Sequence, residues 1–214
     1  SFDSVYGKLA VDFMEDGYGF GGEGDWKTAG LVRLMKIMTN NTRTSFMEDY
    51  TYNFDPENEL ILGAHMLEVC PTVSANKPLI EVKHLGIGDK AAPARLIFNG
   101  QAGQAVCASL IDLGGRMRLV INEVEAKEVE KDLPELPVAR VLWRPEPSLK
   151  VGAKAWILAG GAHHTSFTYE LDSEQLTTLA DMYGIESVVI GKDTNIRDFE
   201  KELKLNSLYW MLNK

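Results

Sequence analysis

The spacing of apolar residues divides the chain into a helical beginning, a strand-rich middle and an α/β end. The segment "KLAVDFMED" starts with helix-like spacing and breaks at a loop, residues 17–24, that contains five glycines. In the next segment, "DWKTAGLVRLMKIMT", apolar side chains recur at helical spacing, at Leu31, Leu34, Met35 and Met38. Asp25 or Gly24 is suited to cap its start. The pattern therefore predicts an amphipathic helix directly after the glycine-rich loop.

From Thr44 onward the apolar period changes to two, which is the spacing of a β-strand. In "SFMEDYTYNF" one face carries Phe46, Glu48 and Tyr50, and the residues between them lie on the other face. Further strand candidates, separated by Gly, Pro, Asn and Asp, are "ELILGAHMLEV", "PLIEVKHLGI", "ARLIFNG", "QAVCASLIDLG", "RMRLVINEVE", "PVARVLWR", "AWILAG" and "HTSFTYEL". Many short strands at this spacing predict an antiparallel β-barrel or β-sandwich of about eight strands.

After Asp172 the helical spacing returns. "SEQLTTLADMYG" predicts a helix with Ser173 as its cap and Gly184 as its stop. A short buried strand, "IESVVIG", and a final helix, "NIRDFEKELKLNSLYWML", follow. The charged segment 123–137 is typical of a solvated hairpin or sheet edge with a linker. We therefore predict an α+β fold: a helical N-terminal segment, the β-rich middle and a short α/β C-terminal tail.

Charge and composition exclude several classes of protein. The net charge is −9 and no cluster of Lys or Arg stands out, so neither nucleic acid nor an anionic membrane surface is an expected partner. No run of 18 apolar residues is present, and the first residues lack a signal-peptide pattern. Two cysteines do not make a disulfide framework in a chain of this length. We expect a cytoplasmic protein.

Two glutamates do not fit a purely structural role. Glu48 shares its strand face with aromatic residues, and a carboxylate on a buried face must be paired, hydrogen-bonded or bound to a metal. A solvated edge strand, or an arginine partner, is the structural alternative. Glu23 is the bulky side chain at the tip of the glycine-rich loop, in "GFGGEGDW". A loop that enters a helix is a common place for a functional group, although a solvated turn would also explain it.

Three of the four histidines are further candidates. His65 shares strand parity with Leu67 and Val69, which fits either a metal ligand or a hydrogen-bonded core histidine. His163 and His164 are adjacent, and in an extended segment neighbouring side chains point to opposite faces. We therefore expect one of this pair to enter a given site and the other to support it or to face outward. A surface turn with two solvated histidines remains the alternative.

Together Glu23, Glu48, His65 and His164 form a mixed oxygen and nitrogen ligand set. Such a set suits Mn²⁺, Co²⁺, Mg²⁺ or Zn²⁺, and it lacks the thiolates of a structural zinc site. No short motif links the four residues, so from the residues alone three hypotheses stay open. They are a metal-dependent enzyme of unspecified reaction, a cupin-like metal enzyme, and a metal-free binding or assembly module. In the last case the four side chains would lie far apart.

Longer strings carry a more specific resemblance. They are "GYGFGGEGDWKTAGLVRLMK", "TSFMEDYTYNF", "GAHMLEVCPTV", "HLGIGDKAAPARLIF", "ASLIDLGGRMRLVIN", "LPVARVLW" and "AWILAGGAHHTSFT". In this order they closely resemble the C-terminal part of the bacterial L-arabinose isomerase family, over nearly the whole chain. The resemblance implies that residues 1–43 end a central α/β domain and carry the "GEGDW" loop and a helix. Residues 44–214 would then be a C-terminal β-rich domain with terminal helices.

The resemblance also implies an activity. The family are intramolecular oxidoreductases that interconvert L-arabinose and L-ribulose, with D-galactose and D-tagatose as a side reaction. They use Mn²⁺, here expected as one ion per subunit, and they are cytoplasmic homo-oligomers, typically hexamers. Their two glutamate and two histidine ligands correspond to Glu23, Glu48, His65 and His164, and His163 would be an outward or supporting partner.

The chemistry of an aldose–ketose isomerase suits these residue types. A proton must leave a carbon beside a carbonyl, and a divalent ion on both sugar oxygens stabilises the enediolate that results. A carboxylate then takes the proton and a carboxylic acid returns it. We expect Glu23 and Glu48 to act as this pair. The family's chains are considerably longer, and their sites draw on other parts of the chain, so we expect weak or no isomerase activity from these 214 residues alone.

Overall fold

The computed structural model describes residues 2–48, 54–82, 94–129 and 138–213. The helices are α1 (Phe2–Glu15), α2 (Trp26–Met38), α3 (Leu149–Ala159), α4 (Ser173–Met182) and α5 (Ile196–Leu212). The strands are β1 (Thr44–Glu48), β2 (Phe54–Asp55), β3 (Leu60–His65), β4 (Leu79–Val82), β5 (Ala94–Asn99), β6 (Gly103–Asp112), β7 (Met117–Lys127), β8 (Ala139–Pro145), β9 (His164–Thr168) and β10 (Glu186–Ile190). Short 3₁₀ turns at Gly22–Gly24 and Pro71–Val73 complete the described elements.

The ten strands form one mixed sheet. Its main path runs β1-β9-β6-β7-β8-β3-β2 through antiparallel pairs, while β10 is parallel to β7 and β5 is parallel to β8. The α+β class is confirmed, but the predicted antiparallel barrel or sandwich of about eight strands is wrong. The sheet is open and contains parallel pairs, which need crossover connections that strand alternation does not reveal.

The open sheet nevertheless curls. Strand β1, at one end of the path, contacts β3 near the other end, although no ladder joins the two among the described residues. The segment 49–53, whose sequence continues the alternating pattern after β1, lies outside those residues, as do residues 83–93 and 130–137. The curl brings side chains from opposite ends of the sheet together.

The capping residues determine where the helices begin and end. Asp25 caps α2, as predicted, by accepting a hydrogen bond from the Thr28 amide. The predicted strand "AWILAG" is the end of α3, because Ser148 caps that helix at its start and Gly160 ends it in the left-handed conformation. The cap of α4 is Asp172 rather than the predicted Ser173, in a reciprocal pair with Gln175. The predicted strand and helix near the C-terminus are confirmed as β10 and α5.

The core lies between the sheet and the helices on it. Trp143, Trp156 and Phe167 are fully buried, and the rings of Trp143 and Phe167 meet edge to face with centroids 5.1 Å apart. Helix α2 packs on β9, β1 and β6, so the glycine-rich loop at its N-terminus lies over the β1–β9 pair. None of the described helices has the length and apolar character needed to cross a membrane.

Candidate metal centre

The glycine-rich loop holds Glu23 in an unusual backbone conformation. Its φ of 54° and ψ of 29° lie in the left-handed region, which is rare for a residue other than glycine. Its side chain is 73% exposed. Just before it, Gly22 is buried so closely against the sheet that an added Cβ would lie 3.0 Å from His65 Nε2 and 3.1 Å from Phe46 Cζ. The loop can reach the sheet at this point because Gly22 has no side chain.

His164 lies under this loop at the start of β9. It stands opposite Glu48 in the antiparallel β1–β9 register, so both side chains point to the same face of the sheet. Its Nδ1 is 3.3 Å from Asp25 Oδ2, and its Nε2 is 3.9 Å from Glu23 Oε2. That Nε2 is buried and makes no hydrogen bond. Asp25 therefore orients the ring so that its second nitrogen faces Glu23.

The Asp25 carboxylate both caps helix α2 and contacts His164. It accepts from the amide and the hydroxyl of Thr28, at 3.1 and 2.8 Å, and it also contacts His164. Burial alone would raise the pKa of Asp25, but the hydrogen bonds from Thr28 and His164 outweigh it and lower the pKa. The carboxylate is thus held ionised beside the imidazole and fixes the orientation of His164, an arrangement that is common where a histidine binds a metal.

His65 ends β3 and is held between two carboxylates. Its Nε2 lies 3.3 Å from Glu48 Oε2, and its Nδ1 lies 2.9 Å from Glu68 Oε2. Burial lowers the pKa of His65, but the hydrogen bonds and charges of Glu48 and Glu68 outweigh this and raise it to about 9. In the opposite sense, burial raises the pKa of Glu68, and the bond to His65 outweighs that effect and lowers it.

His163 joins the two halves of the cluster. Its ring centroid is 4.3 Å from that of His164, and its Nε2 is 3.5 Å from Glu48 Oε1. Both adjacent histidines lie in this cluster, because His163 lies at a bend just before β9 rather than in the extended strand. That one of them binds a metal and the other supports it stays a prediction. Phe46 packs edge-on against both His65 and His164, with centroids 4.9 and 5.3 Å away.

The four residues predicted as metal ligands thus lie in one chain of contacts. Glu23 contacts His164, and Glu48 contacts His65, with His163 between the two pairs. Among the described residues, the group with ligand atoms within 4.8 Å of one another is Glu23, His163 and His164. A carboxylate and two imidazoles suit a divalent transition metal, and the buried, unbonded Nε2 of His164 faces this group. The donor set fits a metal ion.

Two members of the cluster, Asp25 and Glu68, are not singled out by the sequence pattern. Asp25 follows Glu23 by two residues, and in the sequence it is fully explained as a helix cap. Glu68 follows His65 by three residues, at the point where the strand has ended, so strand parity gave no reason to place it beside His65. Both act by holding a histidine rather than by standing on an apolar face.

Comparison with known proteins gives matches over nearly the whole chain. A model described as the L-arabinose isomerase C-terminal domain matches residues 43–186, and a model described as the L-arabinose isomerase central domain matches residues 3–41. The boundary between the two matches falls just before β1, so Glu23 lies in one matched region and Glu48, His65 and His164 lie in the other.

Individual relatives are also similar. The L-arabinose isomerase of Bacillus subtilis is 61% identical over all of this chain, which spans 44% of that protein. The L-arabinose isomerase of Clostridium beijerinckii is 60% identical over 98% of this chain, which spans 44% of that protein. The L-arabinose isomerase of a Thermotoga strain is 57% identical over 96% of this chain, which spans 42% of that protein. The chain therefore spans less than half the length of these curated relatives.

Proposed function

Since this chain belongs to the L-arabinose isomerase family, we propose that it provides the metal-binding and proton-transfer groups of an aldose–ketose isomerase. The proposed reaction converts L-arabinose to L-ribulose, and D-galactose to D-tagatose as a side reaction. The proposed ligands are Glu23, Glu48, His65 and His164, and the proposed ion is Mn²⁺, one per subunit. We further propose a cytoplasmic homo-oligomer, of the hexameric kind expected for the family.

The observation that carries this proposal is a chain of contacts that links four residues from separate parts of the sequence as two pairs, with His163 between the pairs. Glu23 comes from the loop before α2, Glu48 from β1, His65 from β3 and His164 from β9. Their carboxylate and imidazole groups pair with one another, at 3.3 Å for Glu48 and His65 and 3.9 Å for Glu23 and His164. The metal-free alternative predicts that these four side chains lie far apart, and the contacts weigh against it.

The two glutamates differ in setting, which suits different steps of a proton transfer. Glu23 is exposed at the loop tip, where a sugar can approach it, and Glu48 is more enclosed, between His65 and His163. When bound, a divalent ion would supply Lewis-acid stabilisation of two neighbouring sugar oxygens. One glutamate would remove the proton from the carbon beside the carbonyl, and the other would deliver a proton to the old carbonyl carbon. The hydroxyl proton of the first of these carbons passes to the old carbonyl oxygen, so that one carbonyl is lost and one is formed.

The supporting groups keep this pair in place. Asp25 orients His164, Glu68 orients His65, and Phe46 fills the space between the two rings. Held imidazoles leave little freedom to the carboxylates that contact them, and positional freedom lowers the rate of a proton transfer. The site therefore combines an exposed entrance at Glu23 with a fixed floor at His65 and His164.

Calorimetric titration of the purified chain with Mn²⁺ tests the metal site. We expect one ion per chain, with binding weakened at least tenfold in Glu48→Gln and in His164→Asn. Glu57→Gln is the matched control, because Glu57 is exposed on a loop away from the cluster. Equal affinity in all four proteins would contradict the ligand assignment.

A ketose assay with L-arabinose tests the chemistry. Any rate that this chain gives should require Mn²⁺ and fall by roughly 10²-fold or more in Glu48→Gln, the usual effect of removing an acid or base. Near-normal turnover in Glu48→Gln with the metal still bound would show that Glu48 transfers no proton.

A further inference from the structure

Lys36, in the last turn of α2, is a lysine enclosed within the fold. The residue is only 1% exposed, and lysine is seldom buried to this degree unless its charge is paired. Its Nζ donates hydrogen bonds to the carbonyl oxygen of Met14 and, at 3.3 Å, to Cys70 Sγ. Neither acceptor is a carboxylate, so neither brings a fixed negative charge to an ammonium group.

The second of these partners, Cys70, is also buried and is held in place. It is 1% exposed and directly precedes the 3₁₀ turn Pro71–Val73. Its amide donates to the Ser45 hydroxyl at 2.7 Å, which fixes the backbone at this point. Its Sγ lies 3.6 Å from the Met14 carbonyl oxygen and 3.2 Å from the Thr72 hydroxyl oxygen. The sulfur is therefore kept in contact with the Lys36 nitrogen.

The surroundings of Lys36 favour its uncharged form. Burial lowers the pKa of Lys36; the contact with Cys70 acts in the opposite sense, and the charge of Arg33 lowers the pKa further. An uncharged amine is a nucleophile, which an ammonium group is not. A basic group beside a thiol also promotes the thiolate, the form of cysteine that reacts with oxidants. Each member of the pair can thus activate the other.

A small oxidant has a short path to this pair. Thr72, whose hydroxyl contacts Cys70 Sγ, is only partly buried, and so is Pro71 beside it. Cys107, in contrast, stands opposite Asn122 on β7 and Phe167 on β9, in the interior of the sheet. The two cysteines of the chain therefore differ in their setting, and Cys107 provides an internal reference.

We propose that hydrogen peroxide converts this pair into a covalent link, a sulfenamide between Cys70 Sγ and Lys36 Nζ. The thiolate first attacks peroxide: an S–O bond forms as the O–O bond breaks, sulfur is oxidised to the sulfenic acid, and peroxide is reduced to water. The Lys36 amine then attacks that sulfur. An S–N bond forms as the S–O bond breaks, and hydroxide leaves with an amine proton as a second water. The flexible four-carbon stem of lysine lets Nζ close the remaining distance.

The link fastens two parts of the fold that are separate in sequence. Lys36 lies on α2, whose N-terminal end carries Glu23 and Asp25, and Cys70 follows the end of β3, where His65 lies. A thiol that attacks the same sulfur frees the amine, so the link is reversible. The chemistry uses none of the proposed metal ligands and does not depend on the proposed isomerase function.

Tryptic digestion and mass spectrometry of the purified chain, treated with hydrogen peroxide and kept free of reductant, test the link. Trypsin cuts the untreated chain after Lys36 and after Arg43. With Lys36 linked, residues 34–43 should stay together and be joined to residues 44–83, which contain Cys70. The joined product should weigh about 2 Da less than the two peptides together, apart from oxygen atoms added to methionines, because the link removes two hydrogens. Dithiothreitol should separate the peptides.

Three variants give the controls. Cys70→Ser and Lys36→Met should each abolish the joined product, and in Lys36→Met peroxide should carry Cys70 on to the sulfinic acid. Cys107→Ser should keep the link. The proposal is overturned if peroxide leaves Cys70 unchanged in the unmodified chain, or oxidises it while Lys36 stays free. A product that retains the peroxide oxygen between sulfur and nitrogen would also overturn it. The decisive peptide comes from the unmodified chain, so a variant that does not fold leaves the test intact.

Discussion

The close approach of Gly22 to the sheet leads to a sharp prediction for Gly22→Ala. Gly22 is buried, and its backbone is not in the left-handed region, so alanine brings no backbone strain of that kind. The added methyl carbon would lie 3.0 Å from His65 Nε2, 3.1 Å from Phe46 Cζ and 3.2 Å from His65 Cε1. These contacts are several tenths of an ångström too short, so either the loop or the ring must move.

The His65 ring has little room to move. Glu68 holds Nδ1 at 2.9 Å, Glu48 holds Nε2 at 3.3 Å, and Phe46 packs against the ring edge. We therefore expect the loop to lift and to carry Glu23 away from His164. Overpacking of this kind costs about 1–3 kcal/mol of folding stability. Metal–ligand distances tolerate only about 0.2 Å, so Mn²⁺ binding should weaken by roughly tenfold or more.

Two measurements and one control test this reasoning. Urea unfolding gives the change in stability, and calorimetry gives the Mn²⁺ dissociation constant. Gly30→Ala is the control, because Gly30 lies in α2 with open space around it; it should gain about 0.5–1 kcal/mol from helix propensity and bind Mn²⁺ normally. If Gly22→Ala matches the unmodified chain in both measurements, the tight fit between loop and sheet is not what positions Glu23.

Two further predictions follow from the site and from the capping of α4. Because the pKa of His65 is raised to about 9 by Glu48 and Glu68, the ring is protonated near pH 7, and a metal must displace that proton. Calorimetry in buffers of different ionisation enthalpy should therefore give about one proton released per Mn²⁺, with affinity rising up to tenfold per pH unit and levelling above about pH 9; no proton release would refute this. Asp172→Ala should lose about 1 kcal/mol of stability in urea, because Asp172 caps α4, whereas Glu174→Ala in the same turn should change it by less than half as much.

Local patterns predicted several elements correctly. The period of two from Thr44 gave β1, and the helical spacing in 25–39 gave α2 with its Asp25 cap. The mistaken strand "AWILAG" shows the limit of this approach. Its apolar run fits a buried strand or a buried helix equally, and the deciding features lie at its edges, with Ser148 before it and Gly160 after it. The predicted cap of α4, Ser173, is one residue too late, because Asp172 before it has the same capping chemistry.

Long-range pairing could not be predicted in the same way. Strand β10 pairs with β7, and β5 pairs with β8, although the members of each pair are far apart in sequence. No local feature of these strands predicts which strand each one pairs with. The sequence predicts an antiparallel barrel or sandwich because alternation and short spacing describe an antiparallel sheet without describing whether it closes, stays open or pairs with a second sheet. The observed curl brings β1 to β3 without a ladder among the described residues, so Glu48 and His65 come within 3.3 Å of each other in an open sheet.

The candidate metal centre was also only partly predictable from the sequence. Its proposed ligands stand out in the sequence, whereas the residues that position them do not. Glu23 lies among glycines and Glu48 among aromatic residues, and each conflicts with a purely structural role. Asp25 is satisfied as a helix cap, and only the fold shows that its second oxygen reaches His164 at 3.3 Å. One carboxylate therefore links the start of α2 to the orientation of a histidine on β9, so a change that shifts this helix end should disturb His164. Positioning groups of this kind remain hidden until tertiary contacts are known, because locally they already have a complete explanation.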